Sequence, residues 1–156
     1  MPGGHCQDHE PVQLAALHER PVVKAEPSVG TSVPSAGTRK PWYFATPYTV
    51  RHEDGSRCPE GERENYARAC VWAAALIEAG YCIFCPIAHS HPIDEVGDIP
   101  GKDWYAQDND IIAATDYEGI ILGPCWENSS GCRDERAQFA NRDLRIMTYE
   151  EALANA

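Results

Sequence analysis

The strongest constraint on the fold is a strand, helix and strand succession between residues 42 and 85. Trp42-Tyr43-Phe44-Ala45-Thr46 is aromatic and β-prone, and Pro47 stops it. From about Glu62 to Ala79 the residues Ala67, Cys70, Val71, Ala74 and Ile77 recur at helical spacing. Gly80 then stands where a helix often ends in glycine. Tyr81-Cys82-Ile83-Phe84-Cys85 supplies a second strand, closed by Pro86. Two strands joined by a helix of this length pair in parallel through a right-handed crossover.

The rest of the chain repeats the alternation. Gly119-Ile120-Ile121-Leu122-Gly123 is a short apolar run of the kind found in buried parallel strands, preceded by a helix from about Trp104 to Thr115. Leu144-Arg145-Ile146-Met147 reads as a fourth strand, and Thr148 with Glu151 forms a capping box for a last helix, Tyr149 to about Asn155. Arg51 to Gly61 is polar and reads as a mobile connection or lid, while Ile87-Ala88-His89-Ser90-His91-Pro92 reads as a loop. The expectation is a small doubly wound α/β domain, Rossmann- or flavodoxin-like, with four to five parallel strands flanked by helices. It spans residues 40–156. Residues 1–39 have linker composition, as in Glu26-Pro27-Ser28-Val29-Gly30, and read as a flexible N-terminal extension.

Charge and composition narrow the partners. A formal net charge of -11 over 156 residues repels a phosphate backbone and argues against a nucleic-acid polymer, while a small anion stays admissible where a few positive groups converge. No run reaches the roughly 20 apolar residues of a membrane span, and Met1-Pro2-Gly3-Gly4-His5 lacks the marks of a signal peptide, so a cytoplasmic protein is expected. Seven cysteines are an odd number, which favours reduced thiols. Gly-rich phosphate loops, dinucleotide fingerprints and the Gly-x-Ser-x-Gly elbow are all absent from the sequence, and no cofactor is expected.

The stretch richest in chemistry follows the third strand. Pro124 to Gly131 is a turn with helix-capping hydroxyls, and a helix from about Cys132 to Asn141 would put Asp134 and Glu135 in its first turn. The positive end of that helix would keep Glu135 ionised at the carboxyl edge of the sheet, where a nucleophile belongs. Acidic residues there are also commonly mere surface complements to the helix dipole. Cys82-x-x-Cys85-x-x-x-His89-x-His91 carries zinc-ligand types, but strand residues three apart face opposite ways, so no metal is expected. His89 and His91 are then loop donors to a substrate or simply solvated side chains. Asp108 sits on the helix before the third strand, where surface exposure is the commoner fate.

Taken together, Tyr43 to Thr49, the Gly80-to-Pro86 strand, Asp108 to Asp116 and Trp126 to Glu135 resemble the nucleoside 2-deoxyribosyltransferase-like superfamily over about Trp42 to Met147. Cys85-Pro86-Ile87-Ala88-His89-Ser90-His91 resembles the corresponding loop in uncharacterised bacterial and phage members. The resemblance implies cleavage of an N-glycosidic bond between a base and a (deoxy)ribose. Glu135, four residues after Gly131, would be the nucleophile, Asp108 the acid assisting the leaving base, and Tyr43 an aromatic near the sugar, although a core aromatic fits Tyr43 as well. Where nucleoside transferases carry an Asp six residues before the catalytic Glu, this chain has Ser129, as in the nucleotide-hydrolysing branch. A hydroxyl there donates to a phosphate that a carboxylate repels.

The expected activity is therefore hydrolysis of a (deoxy)nucleoside 5′-monophosphate. Ser129, Ser130, Gly131 and Arg63 would lie near the phosphate, and Thr46, Pro47, Tyr48, His89, His91 and Trp126 elsewhere around the substrate. The alternatives are base exchange between deoxynucleosides and a non-catalytic nucleotide-binding module. The resemblance also implies a homodimer or larger homo-oligomer.

Overall fold

The structure, a computed structural model, describes residues 39–97, 99 and 102–156. The chain divides into two units, Met1–Arg39 and Lys40–Ala156. The extension expected over residues 1–39 thus lies, Arg39 apart, outside the described residues.

Among the described residues the strands β1 (Trp42–Ala45), β2 (Ile83–Phe84), β3 (Gly119–Leu122) and β4 (Arg145–Thr148) form one all-parallel sheet in the order β2-β1-β3-β4. Helices α1 (Pro59–Glu78), α2 (Pro86–Gly97), α3 (Trp104–Ala114), α4 (Ser130–Ala140) and α5 (Tyr149–Ala154) complete an α/β fold of the expected Rossmann- or flavodoxin-like kind. The chain leaves β1 for β2 on one side and returns to β3 on the other. A crevice forms at such a reversal, outside the carboxyl ends of β1 and β3.

Strand alternation sorts the core into two layers. Trp42, Phe44 and Ile121 pack with Ala69, Ala73 and Leu76 of α1 and Ala152 of α5. Tyr43, Ala45, Ile120 and Leu122 face the other way, onto Ile112 of α3 and Cys132 and Phe139 of α4. Among the described residues no helix is long and apolar enough to cross a membrane.

Helix α1 begins three residues earlier than expected, because Pro59 opens its first turn. It ends as expected: Gly80 takes φ +90°, its N–H donates to the Ile77 carbonyl at 2.9 Å, and the Tyr81 N–H donates to that of Leu76 at 3.0 Å. Its buried apolar stripe is Ala69, Ala73 and Leu76, whereas Ala74 and Ile77, part of the helical pattern read from the sequence, are exposed. Alanines all round the helix let two stripes fit the same periodicity, and contact with the sheet selects one.

The larger correction concerns residues 87–92, which are helical rather than a loop. Pro86 supplies a preset φ at the start of α2 instead of merely ending β2, and Pro92 sits inside the helix. The segment expected as a lid is a small hairpin. Cys58 N–H donates to the Val50 carbonyl at 2.9 Å, Arg51 and Arg57 form a bridge, and Gly55 turns the chain at φ +84°.

Candidate active site

Three side chains expected to carry the chemistry meet at the switch between β1 and β3. Glu135 is the sixth residue of α4, in its second turn and not its first, because Ser129 caps a helix that starts at Ser130. The buried residues of α4 are Cys132, Glu135 and Phe139, at intervals of three and four. Glu135 therefore lies on the stripe that faces the sheet. Asp108 occupies the same place on α3, one turn before the buried Ile112. Tyr43 is fully buried in β1, its ring edge-on to Tyr117 and tilted against Phe139, both with centroids 5.6 Å away. From that seat its hydroxyl donates to Glu135 Oε1 at 2.7 Å.

Burial dominates the electrostatics. It pushes the Glu135 carboxyl up to about 7; the Tyr43 hydrogen bond acts against this, and the charges of Asp108 and Asp134 act with it. Burial thus outweighs the pull of the helix dipole that the sequence suggested and moves the Glu135 carboxyl toward its protonated form. Burial likewise pushes Asp108 up to about 6, with His89 and Lys102 pulling downward. Taken one by one, these values put the proton on Glu135. The hydrogen bonds put it on Asp108: Glu135 receives a donor from Tyr43, whereas Asp108 Oδ1 is buried with no partner among the described residues. The Tyr43 hydroxyl thus favours, within the shared-proton pair, the form in which Glu135 is ionised and Asp108 carries the proton. Near neutrality the two carboxyls hold one proton between them. The Tyr43 hydroxyl is held well above its ordinary value by burial and by Glu135, so it acts as a donor and not as a base.

The rim is built from loops. Gly123, just after β3, donates its N–H to the Ala45 carbonyl at 2.8 Å; a Cβ there would stand 2.8 Å from Thr46 Cγ2, so only glycine lets the strand ends approach this closely. Thr46 is buried, and its Oγ1 also lacks a partner among the described residues. Pro47 follows, half-buried. The Ser129 hydroxyl accepts from the Cys132 N–H at 3.3 Å, leaving its own hydrogen to donate, while Ser130 and Gly131 form the first turn of α4. Trp126, in a 3-10 turn (Trp126–Asn128), carries the Arg136 guanidinium 5.5 Å from its ring centroid.

Other expected residues stand elsewhere. Arg63 is exposed and pairs with Glu60 at 3.3 Å, occupied away from the carboxylate pair. His89 is exposed on α2 and acts on Asp108 only through its charge. His91 is buried on α2, between the Tyr48 hydroxyl at 2.8 Å and Glu95 at 3.4 Å, and so is not a loop donor free to meet substrate. Sequence reading missed Glu95, although its spacing from His91, four residues on one helix, is the signal for such a pair. Cysteine is a poor nucleophile here, because burial pushes Cys132 up to about 12 and Cys85 up to about 11. Cys82 is exposed while Cys85 is buried, and no group of three or more candidate metal ligands occurs among the described residues.

An ionised carboxylate with a protonated one beside it, both buried near the carboxyl edge of the sheet, can perform nucleophilic substitution with acid assistance. No curated protein matches the chain. Residues 40–151 match a family model described as a domain of unknown function (DUF1937), and the chain belongs to that family.

Proposed function

We propose that the protein hydrolyses the N-glycosidic bond of a (deoxy)nucleoside 5′-monophosphate. The observation that carries this reading is the Tyr43 hydroxyl on Glu135 Oε1 at 2.7 Å, with Asp108 beside them and no cation bonded to either carboxyl among the described residues. In the first step a Glu135 oxygen attacks the anomeric carbon and the carbon–nitrogen bond breaks. The base leaves with the bond's electron pair and takes a proton from Asp108. In the second step water attacks the same carbon, Asp108 accepts its proton, and Glu135 departs as a carboxylate. The scheme follows the two-carboxylate logic of retaining glycosidases.

Two features favour a phosphorylated substrate over a nucleoside. Ser129 has a hydroxyl hydrogen to donate at the start of α4, and the first amides of a helix lack intrahelical partners and attract anions. Thr46 Oγ1, buried without a partner, is available to a sugar hydroxyl. The test is chromatography of reactions with the four common ribo- and four common deoxyribonucleoside 5′-monophosphates. Free base with sugar phosphate is the expected result. Base exchange outpacing hydrolysis when a second base is added would replace this reading with a transferase, and tight binding without turnover would replace it with a binding module.

A further inference from the structure

A second cluster of polar groups, built around the buried His91 and Glu62, joins the loop after β1 to α1 and α2, and the glycosidase scheme makes no use of it. His91, 5% exposed, lies in the second turn of α2 with the Tyr66 ring of α1 stacked on it at 4.1 Å and 25°. Its Nε2 is 3.4 Å from Glu95 Oε1 and its Nδ1 is 2.8 Å from Tyr48 Oη. A carboxylate only accepts, so the ring hydrogen belongs on Nε2, and the lone pair on Nδ1 accepts from the Tyr48 hydroxyl. Burial and the Glu62 charge hold the Tyr48 proton in place, as this arrangement requires.

The same loop is tied down twice more. Asn65 of α1 donates to the Tyr48 carbonyl at 2.9 Å, and Arg57, at the far end, makes two 2.8 Å hydrogen bonds to Glu62. Tyr48 lies two residues beyond Thr46, which packs against Gly123 at the mouth of the crevice. A break at Tyr48 frees the segment that carries Thr46.

We infer that His91 is a positioning residue: through Glu95 and Tyr48 it fixes the loop after β1 at the edge of the site, so that it governs how substrate is held without touching it. This rests on the glycosidase reading. A merely structural histidine would affect the whole fold and leave the Michaelis constant alone.

Three variants of the full chain test this. Tyr48→Phe keeps the ring and removes the hydroxyl, His91→Phe keeps volume and stacking, and His91→Asn keeps an acceptor near the Nδ1 position. Hydrogen exchange followed by mass spectrometry and steady-state kinetics on the eight nucleotides are the two readouts. Tyr48→Phe and His91→Phe are each expected to speed amide exchange over residues 46–50 by about 5- to 10-fold, the worth of one buried hydrogen bond, with the strands unchanged. KM is expected to rise by a similar factor while kcat moves less than about twofold, with partial rescue in His91→Asn and no further loss in the double variant. Turnover with an unchanged KM, or exchange raised evenly along the chain, overturns this inference and leaves the glycosidase reading standing. A wild type that releases no base overturns both.

Discussion

Glu62 and Glu135 are almost equally buried, 4% and 8% exposed, yet their surroundings treat them in opposite ways. Glu62 receives two hydrogen bonds at 2.8 Å from the guanidinium of Arg57, whose own proton this pairing holds more firmly. Glu135 receives one hydroxyl and faces a second carboxyl, Asp108. A buried charge costs several kcal/mol unless it is paired. The fold removes that cost at the hairpin beside α1 and tolerates it at the carboxyl edge of the sheet. Unrelieved acidity of this kind is expected where chemistry needs one carboxylate and one carboxylic acid side by side.

The comparison is broken most severely by removing Glu135. Glu135→Ala is expected to lower base release by about 10³-fold or more. Glu62→Gln should instead lose stability and keep turnover in whatever fraction stays folded. Comparable losses of turnover in both variants would erase the distinction.

Stability against pH sharpens it next. The folded protein raises both carboxyls of the pair, Glu135 from an ordinary 4.5 to about 7 and Asp108 from 3.8 to about 6, so over that range the folded state binds more protons than the unfolded state. Stability should therefore be greatest below about pH 4, fall as pH rises toward about 7 and level off above, with about 3 kcal/mol of the fall due to Glu135. Glu135→Gln removes that contribution and should be more stable than wild type at pH 8, whereas Glu62→Gln should be less stable by about 2 kcal/mol. Urea unfolding at pH 5 and pH 8 checks both signs. Parallel behaviour of wild type and Glu135→Gln would mean that the carboxyl is not desolvated as described.

Asp108→Asn comes third, with an expected loss of about 10²-fold in kcat, since an amide cannot supply the departing base with a proton. The loss should be smallest for bases that leave readily without protonation. The mildest change is Tyr43→Phe. Removing the one donor to Glu135 raises that carboxyl further, so the acid limb of the kcat/KM profile should move upward and activity at pH 7 fall about tenfold. An unmoved limb would separate Tyr43 from the titration of Glu135.

Much of the sheet was legible in the sequence, because short apolar runs bounded by Gly and Pro have few other uses: Trp42–Ala45 and Gly119–Leu122 lie where periodicity placed them. The Gly80 cap and the Thr148–Glu151 capping box were legible for a similar reason, each being settled by local backbone geometry. Helix α2 was not. Pro86 and Pro92 read as breaks, whereas a proline in the first turn of a helix begins it, and only the neighbouring helices show that His91 faces inward. For Glu135 the position near the start of α4 was legible, but its burial was not. Desolvation depends on what covers the crevice, and Tyr43 is 92 residues away in the chain.

The most direct measurement of the central claim is free-base release by wild type and by Glu135→Ala, each with and without added formate as a replacement nucleophile. The account predicts release by wild type, silence from Glu135→Ala alone, and partial recovery when formate enters the space the carboxylate has left. Release by Glu135→Ala at the wild-type rate without formate would contradict it.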